Sequence, residues 1–486
     1  MRRAVVIVSI LLLGGVQIGL AQATGQENML MLKYDPAAPA TPLSAVSQEP
    51  THYVGKLDLP MIPQEEDTFA TFAYTYGDMV IFSYGDSNQC WVIDSKGKTV
   101  WSGIVMRDKY IAVQGLSDGV YLVMGNKEFS LISGDPWGMG LGAWTAVDEN
   151  SSPGSTKFLS MGPGASVWLP LDFEQALTVF TYHNGTHVVI KNIDVDTLIW
   201  EGDLDSAEYY YYRHSNDAKD NFPYSVESTK PVSTMTGGGL GFYAPASNGT
   251  FTGRDFMTYI VFVREPADMR VVPQDLQIVP WEDETWVTIT DLDNPADTIW
   301  RQFFKNRGEI KGIQVPLPDY KGRALYIHSD KDISVPQTPW TSYGTMLIGF
   351  FFVRGIDRDG LGIGKEFYLP LETSMSTGGR TYPCRLHVFA FYENTQVKVT
   401  RIPKGGGNET FIWEGTLNKG EYYTYTTPTG STEAHATYRV TATEGVATVV
   451  QCPDYNGADF LPLWFAIHPD VAAYPNQFKD TECLVP

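Results

Sequence analysis

Apolar and polar residues alternate with a period of two along most of this chain, in short runs bounded by Gly, Pro, Asn and Asp. Successive side chains of a strand point to opposite faces, so the pattern predicts short strands joined by tight turns. Beyond residue 23, no stretch of ten or more residues carries a helical period. The predicted fold class is all-β.

The strands recur in a fixed order. A tryptophan-centred turn is predicted at Trp101-Ser102-Gly103, Trp200-Glu201-Gly202 and Trp413-Glu414-Gly415, with a degenerate copy at Trp300-Arg301-Gln302. The tryptophans are 99, 100 and 113 residues apart. Nine residues after three of them stand Tyr110, Tyr209 and Tyr422. Upstream lie strands starting at Thr186, Thr285 and Thr395, with Asp78–Phe82 as the expected first copy. Downstream lie pairs that read as hairpins: Tyr224–Val226 before Lys230–Val232, Leu325–Ile327 before Asp332–Val335, and Tyr438–Val440 before Val446–Val449. Each copy opens with a strand, at Gly55–Leu59, Thr156–Leu159, Gly253–Phe256 and Gly364–Leu369.

Four tandem strand-rich repeats of about 100 residues follow, each with roughly seven short strands at ordinary strand lengths. The connecting stretches Gly349–Val353 and Leu461–Ile467 are apolar, which suits strands inside shared sheets better than flexible linkers. A closed, β-propeller-like arrangement that protects strand edges is therefore expected over a row of β-sandwiches.

The first residues add a compartment. Met1-Arg2-Arg3, an apolar stretch from Ala4 to Leu20 and the small-residue site Ala21-Gln22-Ala23 read as a secretory signal peptide, with an uncleaved anchor as the alternative. The chain then divides into the signal (1–23), an N-terminal strand and Ala/Pro/Ser linker (24–50), repeats over 51–154, 155–252, 253–363 and 364–452, and a closing strand and tail (453–486). No second apolar run of spanning length follows, so the mature chain is expected to lack a transmembrane segment.

Removing Arg2 and Arg3 takes the formal charge from −21 to −23, which argues against a nucleic-acid partner. In an oxidising compartment Cys90, Cys384, Cys452 and Cys483 are disulfide candidates. Cys90 lies in the first repeat and Cys384 and Cys452 in the fourth, so bridges could lock the seam of a ring. The competing pattern pairs Cys452 with Cys483 and leaves Cys90 and Cys384 free or bridging neighbouring molecules. Asn150, Asn184, Asn248 and Asn408 each head an Asn-x-Ser/Thr sequon and are glycosylation candidates.

The strand Gly364–Pro370, the pair His387–Phe391 with Thr395–Val399, and Trp413–Leu417 followed by Lys419-Gly420-Glu421-Tyr422 resemble the repeat of the IgGFc-binding-protein N-terminal domain family, found in bacterial and archaeal surface proteins. Ser329-Asp330-Lys331-Asp332-Ile333-Ser334-Val335 is similar to that family's SDKPVAV-like strand, with Asp332 in place of proline. The resemblance is clearest over residues 325–451 and implies surface adhesion or assembly.

No catalytic motif is present in the sequence: no Gly-x-Ser-x-Gly, His-Glu-x-x-His, phosphate-loop or haem signature. His183 and His187 flank a turn and read as surface residues. Asp357 and Asp359, in Asp357-Arg358-Asp359-Gly360, resemble half a Ca²⁺ loop, and Ca²⁺ is the one cofactor the sequence suggests. The tyrosines from Tyr209 to Tyr212 suit cross-strand packing, or stacking against sugars if exposed. Met29, Leu30, Met31 and Leu32 form a short apolar strand on the Asp35–Pro50 linker, suited to adding to a neighbouring subunit's sheet.

These features lead to the expectation of a secreted structural cell-surface protein, not an enzyme, that partners itself in an S-layer, sheath or extracellular filament. A surface adhesin or carbohydrate-binding protein with glycan partners is the alternative, and a glycan-degrading enzyme on a propeller scaffold a third.

Overall fold

The computed structural model describes residues 51–58, 69–75, 79–107, 109–117, 119–127, 129–134, 142–145, 155–161, 176–213, 223–236, 242–243, 251–260, 262–264, 271–273, 275–317, 322–337, 351–352, 355–356, 363–371, 385–403, 408–428, 436–453, 460–465 and 474–475. The fold is all-β, with several antiparallel sheets, three of them curled half-barrels. No propeller is detected among the described residues.

The first stretch contains β1 (Thr51–Lys56), β2 (Phe69–Thr75), β3 (Met79–Ser83), β4 (Asn88–Ile93), β5 (Thr99–Val105), β6 (Tyr110–Val113), β7 (Gly119–Gly125), β8 (Phe129–Gly134) and β9 (Gly142–Thr145). The second contains β10 (Ser155–Met161), β11 (Ala176–Thr181), β12 (Thr186–Asn192), β13 (Thr197–Leu204), β14 (Glu208–Arg213), β15 (Pro223–Thr236) and β16 (Phe242–Tyr243). The third contains β17 (Gly253–Ile260), β18 (Phe262–Arg264), β19 (Val271–Pro273), β20 (Asp275–Pro280), β21 (Thr285–Asp291), β22 (Thr298–Phe304), β23 (Lys311–Gln314), β24 (Arg323–Ser334), β25 (Pro336–Gln337), β26 (Phe351–Phe352) and β27 (Gly355–Ile356). The fourth contains β28 (Gly364–Leu371), β29 (Arg385–Ala390), β30 (Thr395–Pro403), β31 (Thr410–Leu417), β32 (Tyr422–Thr426), β33 (Ala436–Pro453), β34 (Phe460–Phe465) and, in the tail, β35 (Tyr474–Pro475).

One pairing pattern recurs in all four. A long strand, β15, β24 or β33, pairs through its first half with the opening strand and with the outer hairpin of the third and fourth strands. Its second half, extended by β25 in the third stretch, pairs with a strand that also carries the fifth strand. In the first stretch the long strand is split into β7 and β8. The predicted hairpins downstream of the tryptophans are thus single strands that bend from one sheet face into another. The bend is an excursion: between Ser155 and Lys157 the partner on β15 skips from Val232 to Glu227.

That excursion fastens onto the turn before the third strand. Asn126 Oδ1, Thr229 Oγ1, Asp330 Oδ1 and Thr443 Oγ1 accept hydrogen bonds from the amides of Gln89, His187, Trp286 and Gln396 at 2.8–3.0 Å. Lys127, Lys230 and Lys331 donate to the carbonyls of Asp86, Asn184 and Asp283. The Ser-Asp-Lys segment at 329–331 is therefore a turn clasp. In the turn itself, Ser87, Gly185, Glu284 and Asn394 hold φ between 56° and 58°.

Two expected first-repeat elements are corrected. The counterpart of the strands at Thr186, Thr285 and Thr395 is β4, not Asp78–Phe82, with buried Asn88 in place of the threonine. The opening strand is β2, whereas β1 pairs with β14 in the second stretch. The tryptophan segments predicted as turns are strands, each with a bulge just before the tryptophan.

Buried contacts join successive stretches. Phe72 packs on Phe180 at 5.8 Å, Leu159 shares a buried cluster with Val279, and Tyr259 lies flat on the buried His387 at 4.1 Å. The first and fourth stretches also touch, through Phe82 on Tyr368 at 5.7 Å and Arg107 with Glu366 at 3.6 Å. In the tail, β35 pairs with β2.

Candidate functional site

The fifth strand of each pattern is where the sheets meet their surroundings. Among the described residues β6, β23 and β32 each pair on one side alone, whereas β14 has β11 on one side and β1 on the other. An edge strand presents unpaired amides and carbonyls that can template another strand.

The β1–β14 pair is a strand added at such an edge. It runs antiparallel over six residues, from Thr51 opposite Arg213 to Lys56 opposite Glu208. Tyr53 stacks on Tyr211 at 4.9 Å and meets Tyr209 edge-on at 6.2 Å. Lys56 reaches Glu208 at 3.6 Å. Gly55 lies so close under the Tyr209 ring that a Cβ there would collide with it.

Strand β32 carries the same features with no covering strand among the described residues. Beneath it Tyr423 lies flat on Trp413 at 3.9 Å, as Tyr210 lies on Trp200 at 4.2 Å. Tyr422 packs on Phe389 at 5.4 Å and donates to Asp293 at 3.2 Å, while Thr424 and Thr426 are exposed.

Ahead of three of these strands, β14, β23 and β32, an acid caps the turn. Glu208 accepts from the Asp205 amide at 2.8 Å, Glu309 from the Lys305 amide at 3.1 Å and Glu421 from the Asn418 amide at 2.7 Å. The other oxygen of Glu208 faces Lys56, and that of Glu309 faces Lys311 at 2.9 Å. Among the described residues no cation is within ion-pair distance of Glu421. In the first stretch the corresponding residue is Lys109. The repeated Glu208-Tyr209-Tyr210 and Glu421-Tyr422-Tyr423 triplets were the sequence signal for these caps.

Polar clusters elsewhere are structural. His187 faces Asp203 through Nδ1 at 2.8 Å and Glu201 through Nε2 at 3.2 Å, and the Asp203 hydrogen bond is the main cause of its raised pKa. Asp255 accepts from Tyr326 and, at 2.7 Å, from His328. Burial works to raise the Asp255 pKa, but those two hydrogen bonds outweigh it and the carboxyl is held below its usual range. Asp291 is consumed by the amides of Asp293 and Asn294 and by Arg323 at 2.5 Å. Among the described residues no group of three or more His, Cys, Asp or Glu is placed to hold a metal ion.

Of the predicted site residues, Cys90 is a free, buried thiol. Cys452 falls on β33, and Cys384 and Cys483 lie outside the described residues. So do Asp357, Asp359, Asn150, Asn248, Met29, Leu30, Met31 and Leu32. Asn184 is built into its turn, with Oδ1 accepting from the Ser206 amide at 3.1 Å, whereas Asn408 is exposed. Tyr210 and Tyr211 are buried in cross-strand packing, whereas Tyr209 and Tyr212 are half-buried.

No family model matches the chain, and no curated protein matches it. Among solved structures, the native conformation of E. coli alpha-2-macroglobulin matches at 10% identity with a TM-score of 0.12. The match covers 77% of this chain and 28% of that one. A TM-score of that size fixes neither fold nor function.

Proposed function

We propose that this chain is a secreted structural cell-surface protein, a self-assembling subunit of an S-layer, sheath or extracellular filament, built from four strand-rich repeats closed into a ring. The observation that carries the assembly reading is β1: a strand from the N-terminal side of the repeats, laid on a sheet edge that its counterparts β6, β23 and β32 leave open among the described residues. A fold that completes one edge by strand addition has the means to join copies by the same chemistry.

Ring closure is supported by the first-to-fourth contacts at Phe82–Tyr368 and Arg107–Glu366 and by β35 on β2. Export is supported by the signal-like first 23 residues, and a surface role by the resemblance to surface-protein repeats. Negative-stain microscopy of residues 24–486, with and without residues 24–50, in calcium and in chelator, tests the reading. Ordered tubes, sheets or filaments are expected from the longer chain. Dispersed particles in every condition overturn it.

A further inference from the structure

We infer that β32 is the acceptor edge of the assembly and that its occupant is the segment Asn28–Lys33 of a second copy, antiparallel, with Lys33 opposite Glu421. The inference rests on the assembly reading and adds the edge, the donor and the register.

The choice of edge follows from the turn-capping acids. A docked strand with a terminal lysine is what Glu208 receives from β1. The Glu309 position beside β23 is already met by Lys311, and beside β6 the corresponding residue is Lys109, which offers no carboxylate to an incoming lysine. Among the described residues, Glu421 alone combines an exposed carboxylate with a strand paired on one side. The edge is also unguarded: Tyr422-Tyr423-Thr424-Tyr425-Thr426 has no charge and no proline, the devices that normally keep an edge from pairing.

The donor follows from the sequence of β1. Aligning Lys33 with Lys56 sets Asn28–Lys33 against Thr51–Lys56. The register on β32 is then Leu32 opposite Tyr422, Met31 opposite Tyr423, Leu30 opposite Thr424, Met29 opposite Tyr425 and Asn28 opposite Thr426. Leu32 falls where β1 has Gly55. There Tyr422 packs on Phe389 and donates to Asp293. The linker Asp35–Pro50 is 16 residues, which spans up to about 55 Å when extended, enough to reach a neighbouring molecule. Donation by one face and acceptance by another is a heterologous contact, which propagates into open polymers wherever the rotation between copies does not close a ring.

The test mixes two otherwise native chains of residues 24–486, one carrying Leu30→Cys and the other Thr424→Cys, under oxidising conditions, each single variant alone serving as the control for the native cysteines. Covalent dimers specific to the mixture are expected. Glu421→Lys abolishes them, and Lys33→Glu in the donor restores them. Because Glu421 also caps its turn, Glu421→Gln, which keeps an acceptor for the Asn418 amide, is the milder variant. Losing one exposed ion pair raises the critical concentration about two- to fivefold. Polymers that form without this crosslink and ignore the charge swap overturn the β32 register while leaving the assembly reading intact. A crosslink found solely within one chain carrying both cysteines overturns the second-copy donor. Absence of polymer and crosslink together overturns the reading and the inference.

Discussion

Tyr423 lies on Trp413 with ring centroids 3.9 Å apart and planes within 6°, and Gly415 leaves the space that the indole occupies. The same geometry joins Tyr210 to Trp200 over Gly202. Stacked aromatic pairs couple by about 0.5–1.5 kcal/mol beyond the area they bury. A double-mutant cycle on Trp413→Ala and Tyr423→Ala, read by denaturant unfolding, is expected to return a coupling in that range. A coupling near zero would mean the two rings are neighbours without being partners.

The turn before the third strand makes a reciprocal prediction. Glu284 is exposed at φ 56°, where its counterpart Gly185 sits at φ 58°. The left-handed region costs an L-residue about 1–2 kcal/mol, partly offset by the chain entropy that glycine loses on folding. Glu284→Gly is expected to stabilise by about 0.5–1 kcal/mol and Gly185→Ala to destabilise by about 1 kcal/mol. Urea unfolding midpoints check both signs.

Strand content and the presence of several strand-rich units were legible because period-two alternation and tryptophan spacing are local features. The tryptophan's stacking partner was one residue beyond the tyrosines noticed at plus nine, since Tyr422 turns toward Phe389 and Tyr423 toward Trp413. The long bent strands read as hairpins because their excursions at Thr229, Asp330 and Thr443 look like turns in sequence. What makes them one strand is a long-range hydrogen bond to another segment's amide. The β1 pairing was invisible for the same reason: its partner is more than 150 residues away, and neither strand's pattern names the other. In the third repeat Gln302 replaces the glycine, and Trp300 packs near Phe304 at 6.2 Å instead of over a glycine, which accounts for the degenerate copy.

The cross-strand pair of Asp255 and His328 gives stability a pH dependence. The Asp255 hydrogen bond raises the His328 pKa against an opposing burial effect, while Asp255 is held low by His328 and Tyr326. The His328 contribution is therefore full below its usual value of 6.5 and is lost as pH rises through its raised value. The Asp255 contribution is present above 3.8 and is lost as pH falls through its lowered value. The pair stabilises most between those limits, so Asp255→Asn is expected to lower the thermal midpoint within that window and to flatten its fall on either side relative to the native chain.

Cys90 is enclosed by the first repeat's core, and burial pushes its thiol up to about 12. The thiolate is the reactive form, so alkylation at neutral pH is expected to miss Cys90 in the folded protein and reach it once the chain is unfolded. Peptide-resolved mass spectrometry after iodoacetamide treatment checks this. Cys90→Ser puts a hydroxyl in an apolar site and is expected to cost about 1–3 kcal/mol.

Tyr368 is the residue on which ring closure can be judged. It is fully buried on β28, yet two of its ring contacts are to the first repeat, Phe82 at 5.7 Å and Tyr84 at 5.3 Å. Beside it Arg439 and Arg107 hold the two oxygens of Glu366 at 2.5 and 3.6 Å. Truncating a buried aromatic costs about 3–5 kcal/mol wherever it sits, so the size of the loss cannot separate a ring from a row. Its distribution can. In a ring, Tyr368→Ala opens the seam, and amide exchange is expected to rise on β3 and β6 of the first repeat as well as on β28 and β33 of the fourth. In a row, the rise stays in the fourth repeat, because no contact would carry it across. Exchange confined to β28 and β33 would therefore remove the closed ring while leaving the four-repeat chain as it is.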